Sequence, residues 1–171
     1  MLGRVLGQGA EVTARVFGIS RVPVVKGQGI PAHDPRVEVG TGIGYATNPQ
    51  GADHTGVIIF KGESIEQMVE QSRRQQITTA AFDSLGLCLQ ADPSLEVMAQ
   101  LLNGFYGWSW STQDVIDLGK AVLKEEMAFN QAAGLCRETD RLPDFLKEEA
   151  LPPSGGVFNV PDSDLERVLN F

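Results

Sequence analysis

The chain has two cysteines, two histidines and no long apolar run, and each shortage closes a class of function. Cys88 and Cys136 are too few for a disulfide framework, or for a four-thiolate metal centre built from this chain alone. His33 and His54 lack the ligand spacing of a zinc site. No stretch approaches the roughly 20 apolar residues of a membrane span. The first residues, Met1 to Gly7, hold one arginine and too short an apolar stretch for a secretory leader. Basic runs are also missing: Arg73-Arg74 is the densest cluster, and the chain carries 14 Lys+Arg against 22 Asp+Glu, a net charge of −8. Binding to nucleic acid, which rests on cations meeting phosphates, is therefore not expected. There is no GxxxxGK loop, and Gly40-Thr41-Gly42-Ile43-Gly44 has the wrong spacing for a dinucleotide fingerprint. Sparse cysteine and the missing leader together point to a reducing, cytoplasmic setting.

What is present is ordinary for a folded domain: 42% hydrophobic and 21% charged residues in a 171-residue chain. That length holds one domain, or one and a fragment of another. Residues 1–30 read as the end of a preceding helical domain or its linker, and 31–171 as a helical domain. The expected fold is mainly α, a multihelical orthogonal or irregular bundle with long ordered loops and little strand. A short helix is expected over Ala10–Val16, with Val12, Val16 and Phe17 on one side and Gly18 as its stop, then an extended Ser20–Lys26. Residues 27–63, dense in glycine and broken by Pro31, Pro35 and Pro49, read as an ordered irregular segment. It ends in a strand-like Val57-Ile58-Ile59-Phe60. Ser64 with Gln67 predicts a capping box opening a helix to about Thr79. Ser94 starts a second helix, ended by Gly104. A third starts at Ser111 or Thr112 and stops at Gly134, with Val115, Leu118, Val122, Met127 and Phe129 as its apolar stripe. Gly119 inside it costs about 1 kcal/mol against alanine, so a close neighbour is expected to cross there. After Arg137 the chain reads as mostly extended. A helix from Ser163 to Leu169 then meets the last residue without a stop signal, so both ends read as continuing.

Chemistry-bearing residues are few. His54 closes the glycine-rich segment, where an imidazole could serve proton transfer near neutral pH. Asp53 beside it would point to the opposite face of an extended backbone. His33 sits between prolines and reads as structural. Cys88, among Leu85, Leu87 and Leu89, is by composition a small buried hydrophobe. Asp83 follows an apparent helix end, however, and Gly86 permits close backbone approach to a ligand. Cys136 reads as structural.

Five ordered segments resemble the aldehyde:ferredoxin oxidoreductase family. They are Lys26-Gly27-Gln28-Gly29-Ile30-Pro31-Ala32-His33-Asp34-Pro35-Arg36; Gly42-Ile43-Gly44-Tyr45-Ala46-Thr47-Asn48 with Gly51 and His54; Asp83-Ser84-Leu85-Gly86-Leu87-Cys88; Ala128-Phe129-Asn130; and Asp140-Arg141-Leu142-Pro143. The resemblance implies oxidation of aldehydes to carboxylic acids at a tungsten bis-pterin centre, with one [4Fe–4S] cluster passing electrons to ferredoxin. It implies Cys88 as the fourth thiolate of that cluster, the other three coming from a C-x-x-C-x-x-x-C motif in a preceding domain. Asp83 would bond a pterin, the backbone at Leu87 and Cys88 would lie between cluster and pterin, and His54 would manage protons near the metal. The implied partners are an N-terminal pterin-binding domain, a middle helical domain, ferredoxin and an aldehyde. By itself the chain is expected to bind neither tungsten nor cluster, and to pair with a second copy through apolar faces left uncovered. Departures from the family pattern fall at Asn48-Pro49-Gln50, Asp53 and Gly56. They motivate an alternative, a non-catalytic helical interaction module derived from the family.

Overall fold

A hairpin turn built on a lysine leads from two short N-terminal helices into the main core. In the computed structural model, which describes residues 2–59 and 62–171, β1 (Val24–Val25) pairs antiparallel with β2 (Gln28–Gly29), Val24 opposite Gly29. Both turn residues, Lys26 and Gly27, have positive φ, 51° and 80°, as a two-residue hairpin of this hand requires. The strained turn turns Lys26 inward. Its side chain is 4% exposed, and its Nζ donates to the carbonyls of Ala46 and Asn48 at 3.1 and 2.8 Å and meets Asp140 Oδ1 at 2.7 Å. Burial lowers the pKa of the ammonium, and Asp140 counteracts the shift. Before the hairpin stand α1 (Leu2–Leu6) and α2 (Ala10–Phe17), the latter closed by Gly18 in the left-handed region. The expected apolar side of α2 is not buried: Val16 and Phe17 are exposed and only Ala14 is covered.

The carbonyls that Lys26 meets end a helix that sequence periodicity misses. Helix α3 (Val39–Thr47), nine residues reading VGTGIGYAT, is buried from Gly40 to Thr47. It lies inside the segment expected to be irregular, so that expectation is corrected. Three glycines disfavour a helix by about 1 kcal/mol each, but each lets a neighbour approach. A Cβ at Gly40 would stand 2.5 Å from Ile59 Cγ2, one at Gly42 would stand 2.7 Å from Phe158 and Pro35, and one at Gly44 would collide with Val57. Burial in the main core, with Ile43, Tyr45 and Ala46 against Val69, Phe158 and Leu165, outweighs propensity. The strand-like run also differs from expectation. Residues 57–59 join no sheet; Thr41 Oγ1 accepts from the Ile59 amide at 2.9 Å and Gln75 Oε1 accepts from Ile58 at 3.2 Å. Phe60 lies outside the described residues.

Helix α4 (Ile65–Ser84) runs five residues beyond the expected end. Ser64 caps it by accepting from the Gln67 amide, while Gln67 Oε1 takes the amide of Glu63 rather than that of Ser64. The helix joins two cores. Its first half, through Val69, meets the core around α3; its last turns, through Ala81 and Phe82, meet Met98, Ala99 and Val115. These come from α5 (Leu95–Tyr106), which Gly107 ends instead of Gly104, and from α6 (Thr112–Ala132). Asp114 starts α6 by accepting from the Ser111 amide and hydroxyl at 2.7 and 2.6 Å. At Gly119 a Cβ would strike the backbone carbonyl of Ile77, so α6 crosses α4 in backbone contact, as the lone glycine implies. Phe129 is not part of a buried stripe; it is 74% exposed. Beyond α5, Tyr106, Trp108 and Trp110 stack with centroids 4.7 and 5.0 Å apart. The remaining chain adds α7 (Phe145–Glu148) and α8 (Asp162–Val168), which seats Leu165 and Val168 in the main core. Among the described residues the fold is mainly α with one two-stranded sheet. No helix there is long and apolar enough to cross a membrane.

Candidate functional site

The Asp83–Cys88 segment is a helix terminus of defined type. Asp83 is not beyond the helix, as expected, but in the last turn of α4. Leu85 caps it, Gly86 follows at φ 65°, the Gly86 amide donates to Asp83 O, and the Leu87 amide donates to Phe82 O. This paired arrangement is a Schellman motif. Gly86 is thus required by the chain reversal, and nothing crowds its Cβ position within 4 Å. Leu87 folds back on the second core with Leu85, and Cys88 emerges exposed as a free thiol. The composition-based picture of Cys88 as a buried hydrophobe is therefore corrected. Cys136 is free and exposed as well, and a hydrogen bond with Glu138 raises its pKa.

Asp83 faces the other way, into a cavity of about 250 Å³ between α4 and α6. Gln76, Thr79, Ala80 and Asp83 line one side at i, i+3, i+4 and i+7, one face of a helix, and Val122, Leu123 and Glu126 line the other. Asn48, Gln50 and Gly56 complete it from the segment before and after His54. Asp83 sits exposed at the rim of this cavity, where partial desolvation raises its carboxyl, helped by the charge of Asp53; Glu126 is half-buried, and burial raises it, helped by the charge of Asp83. Glu126 was absent from the sequence-level candidates. Its signal is its place on the apolar stripe of α6, four residues after Val122, where a carboxylate is out of pattern.

His54 is exposed, in the turn after Gly51. Its ring centroid lies 5.8 Å from that of His33, and His33 Nδ1 lies 3.1 Å from Glu38 Oε2. His33 thus lies beside His54, and its contact with Glu38 fits the structural role read from its sequence. The loop holding it is fixed by Arg36, which donates to both Asp34 oxygens at 3.0 and 2.7 Å and keeps the Asp34 carboxyl below the usual range. Asp53 accepts from the amide and hydroxyl of Thr55 at 2.8 and 2.7 Å, a bonding pattern that serves its own turn rather than His54. Behind them Tyr45 is 0% exposed, its hydroxyl finds no partner among the described residues, and burial with the charges of Glu38 and Asp53 pushes its pKa up to about 12. Among the described residues no three His, Cys, Asp or Glu side chains are grouped to hold a metal ion.

Residues 1–170 match the family model described as aldehyde ferredoxin oxidoreductase, domains 2 and 3. The chain belongs to this family. It is 33% identical over 166 residues to the tungsten-containing aldehyde ferredoxin oxidoreductase of Pyrococcus abyssi, covering 88% of this chain and 27% of that protein. It is 32% identical to the protein of the same name from Pyrococcus horikoshii, with the same coverage, and 31% identical to that of Thermococcus kodakarensis, over 88% of this chain and 28% of that protein. The chain thus spans about 27% of the length of these relatives. Against the family pattern, two of the departures touch one another. Gly56 is buried, and a Cβ there would stand 2.5 Å from Asn48 Nδ2, so the side chain at 48 occupies the room that one at 56 would need. Pro49 is tied down in turn, its carbonyl accepting from Asn130 at 2.8 Å.

Proposed function

We propose that this chain contributes one wall of the active site of a tungsten-pterin aldehyde:ferredoxin oxidoreductase that converts aldehydes to carboxylic acids. The carrying observation is the end of α4, whose last turn sets Asp83 at a cavity and whose closing Schellman turn leaves Cys88 exposed within one short segment. The residues suit the groups the family implies. An acceptor-only carboxylate matches the N–H donors of a pterin ring, and an exposed thiol can complete a cluster whose other three thiolates come from elsewhere. When bound, the tungsten centre would supply the two-electron oxidation of aldehyde and water to carboxylic acid and two protons, and the [4Fe–4S] cluster would supply the route by which the two electrons reach ferredoxin.

The chain's own residues then have distinct tasks. Asp83 orients the pterin edge, and the Leu87–Cys88 backbone separates pterin from cluster. Cys88, as thiolate, anchors one iron. His54 takes up a proton released as water adds to the carbonyl, with His33, held by Glu38, as its neighbour. The preceding pterin-binding and middle helical domains supply the rest. Replacing Cys88 by Ser in the complete enzyme tests the assignment: the cluster's spectroscopic signal and iron content are expected to fall. Normal iron and an unchanged cluster spectrum in Cys88→Ser would refute the ligand role. A screen of several aldehydes with a viologen acceptor tests the substrate class, and no turnover of any aldehyde would refute it.

A further inference from the structure

The cavity between α4 and α6 holds more acceptors than Asp83 alone requires. Gln76 lines it and is 1% exposed. Its Nε2 donates to Thr47 Oγ1 at 2.9 Å and to Ser72 Oγ at 3.1 Å. The Thr47 hydroxyl spends its own hydrogen on Ile43 O, so it can only accept from Gln76, and the amide orientation follows. That leaves Gln76 Oε1 buried with no donor among the described residues, an arrangement proteins seldom leave unfilled. Glu126 brings a second carboxylate from α6, and no lysine or arginine is among the lining residues. Val122 and Leu123 give the same space an apolar wall. The volume, about 250 Å³, lies just below the range of sites for drug-sized ligands, so it suits one edge of a small planar molecule.

We infer that Glu126 is a second positioning carboxylate beside Asp83, and that the two, with Gln76, receive the amino-bearing edge of a flat nitrogen heterocycle of the 2-amino-4-oxopyrimidine type. The inference rests on the reading of Asp83 as a pterin contact and extends it to a helix that reading does not use. A carboxylate on each wall, with no cation between, selects for the exocyclic amine and ring N–H; Asn48, Gln50 and Thr79 add neutral groups to the lining, and the apolar wall takes the ring face. A carbonyl in place of the amine would set its oxygen against the two carboxylates and Gln76 Oε1.

The test compares two probes on the 171-residue chain by NMR: pterin, which carries the 2-amino group, and lumazine, which has an oxo group there. Pterin is expected to shift the Gln76 side-chain amide and the backbone signals of Asp83 and Glu126, and lumazine to bind at least about tenfold more weakly. Glu126→Gln and Asp83→Asn, both isosteric, are each expected to weaken pterin binding about tenfold, the equivalent of one lost charged hydrogen bond. Glu125→Gln, on exposed surface beside Glu126, is expected to change nothing. Loss of binding in Asp83→Asn with none in Glu126→Gln would overturn this inference and leave the Asp83 contact standing. Equal binding of the two probes would overturn the amine-selective edge. No response to pterin at all would overturn both the inference and the pterin reading of Asp83.

Discussion

Helices α3 and α6 are held in opposite ways. Helix α6 has 21 residues, a local cap at Ser111–Asp114 and a recognisable apolar stripe. Helix α3 has nine residues, three of them glycine, and its C-terminal carbonyls are met by Lys26, more than a dozen residues upstream. The first is supported by what is near it in sequence and the second by what is near it in space. A helix of α3's length is marginal in water even with good propensity, so α3 exists because its neighbours do.

The contrast predicts where substitution should hurt. Lys26→Met should have the largest effect, about 3 kcal/mol, because it removes a buried ammonium from the α3 carbonyls and from Asp140; urea unfolding of the chain measures it. Gly44→Ala should cost about 2 kcal/mol, as a methyl driven into Val57 overcomes the gain in helix propensity. An unchanged midpoint would mean that the segment around Val57 yields freely. On α6, Asp114→Ala should cost less than either, because it removes only the capping-box partner of Ser111 at an exposed helix end. Should it equal Lys26→Met, the distinction between local and remote support would not hold.

The smallest effect is one of pH. Burial raises Glu126, so the folded chain keeps its proton where the unfolded chain has released it, and stability falls as pH rises through the ordinary glutamate range, about 4.3, towards the higher folded value. Glu126→Gln should therefore raise the melting temperature at pH 7 by roughly 1–3 °C, kept small by solvent screening of a part-exposed group. The gain should vanish below about pH 4, where the carboxyl is neutral in both states.

Sequence pattern reached α6, α5, the N-terminus of α4 and the crossing at Gly119 because each is a local signal: a cap, a period, a lone glycine. It missed α3 because glycine spacing looks the same in a loop and in a helix that others press upon. It placed Asp83 outside α4 for a related reason: Ala80, Ala81 and Phe82 continue the helix, but only the second core rewards their doing so. Cys88 was legible as a candidate through its flanking motif, whereas its exposure was not. The closeness of His33 to His54 had no signature in the sequence, because it depends on the loop that Arg36 and Asp34 close.

Helix α4 also works as a screw thread. Each residue along it advances about 1.5 Å and turns about 100°, and Gln76 and Asp83, two turns apart, share one bearing. A side chain at either place can be exchanged without disturbing the other. Insertion of a single residue between them would swing Asp83 and the turn behind it about a quarter of the way round the axis, carrying Cys88 along. The spacing from Gln76 through Gly86 to Cys88 is therefore a length that the molecule keeps by counting, and a slipped letter within it would undo the site even with every named residue retained.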